Sequence, residues 1–251
     1  MAKKNRARTD QITDVACVIH STGYDWCYVE RLWAMACRHL PGGVRFHVYT
    51  EHDRSVPPHM IKHCLTEWPG LAGPKKSWWY KLQLFDGRHH RGSLLYLDLD
   101  VVLVRDLSWV RALDTNYVWG IRDFRHLQRP GLGGMNSSMM WFDTQKFGWI
   151  WDNVARLDIM EVARRHRGGD QEYIYTQLDV NQRRFFEDRY FQSYRWQVQD
   201  GGYDFARRQH LRPGSGTAIA ADTAVIVFHG HPKPHEVTDP QIQQLWNPVD
   251  Q

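Results

Sequence analysis

The run GSLLYLDLDVVLVRDL, Gly92 to Leu107, has the look of a strand buried in a sheet, yet it carries two carboxylates, Asp98 and Asp100. Burying an unpaired carboxylate costs several kcal/mol, so something must compensate these two. Residues i and i+2 of a strand share a face, which predicts the two acids side by side where the strand emerges into a loop. Held there they repel, unless one takes a proton or a cation sits between them. A hard divalent ion is the economical answer, since it prefers oxygen ligands and leaves positions free for phosphate oxygens. The bland alternative is a solvated strand-end pair.

The surrounding pattern places this run inside an α/β domain. DVACVIHS (14–21) reads as a first strand, and YVERLWAMACRHL aligns Val29, Leu32, Trp33, Ala36 and Leu40 on one helical stripe ended by PGG at 41–43. VRFHVYT (44–50) alternates Val44, Phe46 and Val48 against Arg45, His47 and Tyr49, the mark of a strand. A Pro-, His- and Gly-rich loop follows to Pro74, with one short strand over 61–65, and then a helix over Ser77–Phe85. Beyond the central run, 116–123 and 136–143 read as strands, 145–165 as a helix, and 223–236 as a last buried strand with a tail of His, Lys and Pro. Such an order argues for one mixed sheet flanked by helices, with ligands at the carboxyl ends of its strands.

Composition is that of a globular chain: 42% hydrophobic and 24% charged residues set aside disordered and fibrous classes. The 251 residues favour one sizeable domain over two small ones. Net charge +4 is concentrated partly in MAKKNRAR, so residues 1–12 are expected to form a basic flexible arm ahead of a domain at 13–236 and a tail at 237–251. No apolar run is long enough to span a bilayer and no signal peptide is evident, which points to a cytoplasmic protein. Cys17, Cys27, Cys37 and Cys64 lack metal-site or scaffold spacing, so reduced thiols are expected and a zinc site is not. The 12 tryptophans serve either sugar or base stacking or plain core packing.

LLYLDLDVVLVRDL resembles the metal-binding segment of the nucleotide-sugar glycosyltransferases of the GT-A fold, especially glycosyltransferase family 8. The resemblance spans roughly 13–236 and implies a GT-A fold, a single Rossmann-like mixed sheet flanked by helices. It also implies a Mn²⁺ or Mg²⁺ ion on Asp98 and Asp100 that binds the diphosphate of a UDP-linked or related sugar. By the same resemblance Lys81 lies near the donor's phosphates and sugar, Asn136 and Ser137 of GGMNSSMMWFD face the sugar, and Asp170 and Gln171 of GGDQEY lie beside it. FHGHPKPH departs from the family's closing motif: Gly230 and Lys233 keep their places, but the histidine directly precedes the glycine as His229. His229 is then the expected third ligand, with His231 in reserve, and Lys233 contacts the diphosphate. His20, Ser21 and Tyr24 are candidates for the base and ribose, while Arg122 and Asp123 end a strand within reach of the sugar. Family resemblance implies retention of configuration; if the enzyme inverts, Asp170 or Asp123 is the candidate base.

The implied function is metal-dependent glycosyl transfer to a hydroxyl acceptor, which is left open among glycan, lipid-linked sugar, protein, small molecule and modified DNA. Two other readings compete. LYLDLDVV also fits a haloacid-dehalogenase-type phosphatase using Asp98 and Asp100, although that motif normally sits near the N-terminus. The tryptophans and basic arm also suit a non-catalytic sugar- or nucleic-acid-binding module.

Overall fold

Strands whose side chains alternate between two buried faces need cover on both sides. In the central run Leu95 and Leu97 pack into one hydrophobic cluster while Leu94 and Tyr96 pack into another on the opposite face, and Val15 and Cys17 alternate with Ala16 in the same way. The computed structural model describes residues 12–71 and 74–247. The basic arm expected over 1–12 lies outside them apart from Ile12.

The chain runs β1 (Thr13–Val18), α1 (Cys27–His39), β2 (Val44–Thr50) and β3 (Ile61–Cys64), close to the expected elements. A 3₁₀ helix, Pro74–Phe85, leads to β4 (Ser93–Leu97). β5 (Val101–Leu103), β6 (Val118–Arg122), α2 (Arg125–Gln128) and β7 (Met135–Asp143) follow. The single helix expected over 145–165 is two, α3 (Trp149–Val154) and α4 (Ile159–Arg165). The first ends at Val154, and after a turn Asp158, with extended backbone, caps the second by accepting from Met160 N at 2.9 Å. The remaining elements that matter are α5 (Asp170–Gln177), β8 (Arg183–Phe185), β9 (Phe191–Ser193), the β10 (Tyr203–Asp204) and β11 (Gln209–His210) ribbon, β12 (Val225–Val227) and α6 (Pro240–Trp246).

Seven strands form the main sheet in the order β3-β2-β1-β4-β7-β6-β8. β3, β2, β1 and β4 are parallel, and β7 runs antiparallel to both β4 and β6. A second sheet, β5-β12-β9, stands beside it. The main sheet carries α1 and the second sheet on one face, and the 3₁₀ helix with α3 to α5 on the other.

On β2, His47 and Tyr49 are as buried as Phe46 and Val48, because β3 and the segment after the 3₁₀ helix cover them. Helix α6 lies within the stretch 237–251 that was expected to be a tail. Ile242 and Trp246 of α6 sit in the core against α1, where Trp246 meets the Tyr28 ring at 5.2 Å and the Arg31 guanidinium at 3.8 Å.

Candidate active site

The strand that carries the D-x-D stops at Leu97, and residues 98–100 form the turn by which the chain leaves the main sheet for the second one. The two aspartates therefore do not share a strand face as the spacing predicts; the turn sends them to different partners. Asp98 continues the face of Leu94 and Tyr96, with its backbone N–H still donating to Ser138 O on β7 at 2.8 Å. Its Oδ1 accepts from Tyr96 Oη at 2.5 Å and from Lys81 Nζ at 2.9 Å. Asp100 turns to the other side, where Oδ2 accepts from Tyr24 Oη at 2.8 Å and Lys233 Nζ at 2.5 Å. Phe228 N donates to Asp100 O at 3.3 Å, which tethers the end of β12 and the motif after it to the turn.

Lys81 is the centre of the deeper half. Besides Asp98 it contacts Asp170 Oδ2 at 3.2 Å and Ser137 Oγ at 3.0 Å, and Ser137 donates in turn to Asp170 at 2.6 Å. Burial alone would lower the ammonium's pKa, but the charges of Asp170 and Asp98 raise it, so Lys81 stays protonated. Burial pushes Asp170 up despite Lys81, and it also pushes Asp100 up, helped by the charge of Asp98 and opposed by Lys233. Asp98 moves the other way: against burial, Lys81 and the Tyr96 hydroxyl hold it below the ordinary carboxylate range. Asp170 opens α5 directly after Gly169, whose φ of +83° would strain any side chain and whose α-carbon faces the Trp78 indole closely.

These groups share one cavity of about 890 Å³ at the carboxyl ends of β1 and β4, lined also by His20, Asn136, Gln171 and His231. Four acids, Asp25, Asp98, Asp100 and Asp170, line it against Lys81, Lys233 and Arg167. A cluster with that balance suits an added cation, and two carboxylates are the oxygen donors that Mn²⁺ or Mg²⁺ takes. The third ligand is not assembled. His229 lines the cavity, but its Nε2 lies 2.6 Å from Ser193 Oγ, and its ring is wedged against Trp196, with burial and Arg195 depressing its pKa to about 4. His231 is exposed, and its Nδ1 lies 2.9 Å from Glu236. Among the described residues, the acidic and imidazole donors that come within 4.8 Å of one another as a set of three are those of Asp14, His47 and His90, elsewhere in the fold.

Strand order, the crossing from one sheet to the next and the cavity can be compared with known structures. Over 93% of its length the chain matches the galactosyltransferase LgtC, solved with donor and acceptor sugar analogues, at a TM-score of 0.60, 14% identity and 95% of that chain covered. The fold is GT-A. Glycosyltransferase GlyE of Streptococcus pneumoniae TIGR4 aligns with 88% of this chain and 56% of its own, at a TM-score of 0.57 and 17% identity. Mouse xyloside xylosyltransferase 1 aligns with 87% of this chain and 98% of its own, at 0.53 and 11%. No family model and no curated sequence matches the chain.

Within the GT-A cavity the remaining candidates divide. His20 lines it, stacked 3.8 Å from the Tyr80 ring, and His20 Nδ1 is a buried atom without a partner among the described residues. Tyr24 lines it too, but its hydroxyl is spent on Asp100 rather than free for a base. Ser21 is absent from the lining; Thr22 and Gly23 stand there instead, while Ser21 holds a left-handed φ of 57° behind them. Asp123 and Arg122 are also outside the lining. Asp123 accepts from Arg125 N and Nε at 2.9 and 2.7 Å, shaping the turn into α2, and Arg122 pairs with Asp188 at 3.1 Å. Sequence reasoning missed Tyr96, whose period-2 spacing from Asp98 was the available signal, and Trp78, exposed at the cavity mouth beside Gly169.

Proposed function

We propose that the chain is a metal-assisted glycosyltransferase that moves a sugar from a UDP-linked donor to a hydroxyl acceptor. The observation that carries this reading is the D-x-D turn at the carboxyl edge of the parallel strands, with Lys81 and Lys233 on either side of it in one cavity. Asp98 and Asp100 would hold the divalent ion, with His229, whose Nε2 now lies against Ser193 Oγ, as the third residue for it. Such an ion would supply positive charge against the negative charge that builds on a departing diphosphate. Lys233 leaves Asp100 for the phosphates, His20 offers its unpartnered nitrogen to the nucleotide, and Asn136, Ser137 and Gln171 orient the sugar.

Asp170 serves as an orienting group. It is buried, with Oδ2 held by Lys81 and Ser137, and Asp123 does not line the cavity. Retention of configuration is proposed from the resemblance to family 8. The phosphatase reading loses its support in a GT-A fold with Asp98 committed to Lys81 and Tyr96. The four free cysteines favour a reducing, cytoplasmic setting, and the acceptor stays open within the hydroxyl classes named above.

Mn²⁺ together with a UDP-sugar should raise the melting temperature more than either alone in a thermal-shift screen. A flat response to every nucleotide sugar overturns the reading. Asp100→Ala should abolish turnover with an unchanged circular dichroism spectrum. Mn²⁺ affinity should fall in His229→Ala and hold in His231→Ala, and the reverse result moves the third ligand to His231.

A further inference from the structure

A second polar cluster lies on the main sheet away from the donor cavity. β2 turns Arg45, His47 and Tyr49 to one face, and β1 turns Asp14 and Ala16 to the same face beside them. β3 adds His63, paired in register with Tyr49, and the chain leaving the 3₁₀ helix lays His89 and His90 over the top. The His90 ring meets the His47 ring edge-on at 4.9 Å, and the His63 ring stacks on it at 5.1 Å. His47 is 5% exposed, a costly place for a polar ring unless its nitrogens are occupied. They are: Nε2 lies 2.9 Å from Asp14 Oδ1 and Nδ1 lies 2.8 Å from His63 Nε2.

We propose that Asp14, His47 and His90 form a Zn²⁺ site. Their donor atoms all lie within 4.8 Å of one another, and two imidazoles with one carboxylate are a ligand set that zinc takes, with water in a fourth position. Zinc–ligand bonds of about 2.0–2.1 Å require the donors to draw in by roughly 1 Å, a movement open to half-buried His90 in its loop. His63 completes the site from behind. With His47 Nε2 on the metal, its proton moves to Nδ1 and is donated to His63 Nε2, the outer bond that fixes a ligand imidazole's tautomer. Arg45 now fills the metal's place as the counter-charge of Asp14, with both contacts at 2.6 Å, and its side chain is 57% exposed and free to swing out.

The site is separate from the donor cavity. Val18, which lines that cavity, lies four residues along β1 from Asp14, about 13 Å at the rise of a strand. Its chemistry is separate as well, because imidazoles select zinc where the Asp98 and Asp100 carboxylates select Mn²⁺ or Mg²⁺. A metal here would pin β1 and β2 to the segment that feeds β4.

Equilibrium dialysis of chelator-stripped protein against Zn²⁺ alone, read by elemental analysis, tests it. Wild type and the Asp98→Asn/Asp100→Asn double variant should each retain one tight equivalent. His90→Ala and His47→Gln should lose it, His63→Ala should weaken it about tenfold, and Arg45→Gln should tighten it. Absence of tight zinc in wild type overturns the site, as does retention that survives His90→Ala but disappears with Asp98→Asn/Asp100→Asn. His90 is half-buried in a loop, so its variant decides the matter even where His47→Gln fails to fold.

Discussion

Lys81 shows how one side chain can make two buried acids tolerable. Its ammonium lies within 3.2 Å of both Asp98 and Asp170, and Ser137 bridges it to the latter. Removing a partner from a buried ion cluster strands charges that neither water nor protein then solvates. Lys81→Met should therefore cost about 3–5 kcal/mol in urea unfolding. Adding Asp170→Asn to that background should return part of the loss, because one stranded carboxylate is gone. If the double variant is no more stable than Lys81→Met, the Lys81–Asp170 contact contributes nothing and the network must be redrawn around Asp98 alone. The electrostatic problem posed by the sequence thus has two solutions layered together: lysines and tyrosine hydroxyls compensate the aspartates in the resting fold, and a metal is proposed to take over when donor binds.

At the scale of elements, the loop after β1 is held from the end of β2. Glu51 accepts from Thr50 Oγ1 and from Ser21 N, while Arg54 bonds Glu51 at 2.8 Å and Ser21 O at 2.7 Å, fixing the left-handed Ser21. Burial would raise the Glu51 carboxyl, but Arg54, Thr50 and the Ser21 amide bring it down to about 2. The folded pKa lies below the unfolded one, so this stabilisation is present above about pH 4.5 and is lost as pH falls toward 2. Glu51→Gln should flatten the acid limb of the stability profile in that window by about 1 kcal/mol, a figure reduced from the full shift because the pair is solvent-screened. An unchanged acid limb would dismiss the clamp. Local pattern disclosed most of these elements: apolar runs located β1 and β4, period-2 alternation located β2, and PGG ended α1. It did not disclose the clamp, nor the D-x-D turn, nor the burial of His47, because each depends on what a distant segment lays over a strand. Asp98 and Asp100, which line the cavity, were legible as unusual because apolar neighbours made them costly. Asp123, equally acidic and equally at a strand end, was misplaced because nothing local distinguishes a carboxylate that caps a turn from one that faces a cavity.

For the molecule as a whole, the two hydrophobic clusters on either side of the sheet meet different obligations, and the one around α1 is closed by the C-terminal helix. Ile242 and Trp246 of α6 are fully or almost fully buried, and Trp246 packs on Tyr28 and Arg31 of α1. Tyr28 touches the Tyr24 ring at 4.8 Å, and Tyr24 holds Asp100. The end of the chain is therefore linked through three aromatic rings to the proposed metal site. Trp246→Ala should cost about 3–5 kcal/mol, on the order of 10 °C in melting temperature. Ending the chain at residue 236 should cost at least as much, and both changes should weaken Mn²⁺ binding, because the Tyr24 hydroxyl is no longer backed by a packed Tyr28. A chain ending at 236 that melts with the full-length protein would return α6 to the status of an appendage. One that melts early yet binds Mn²⁺ with full affinity would keep α6 in the core but cut the aromatic link to Asp100.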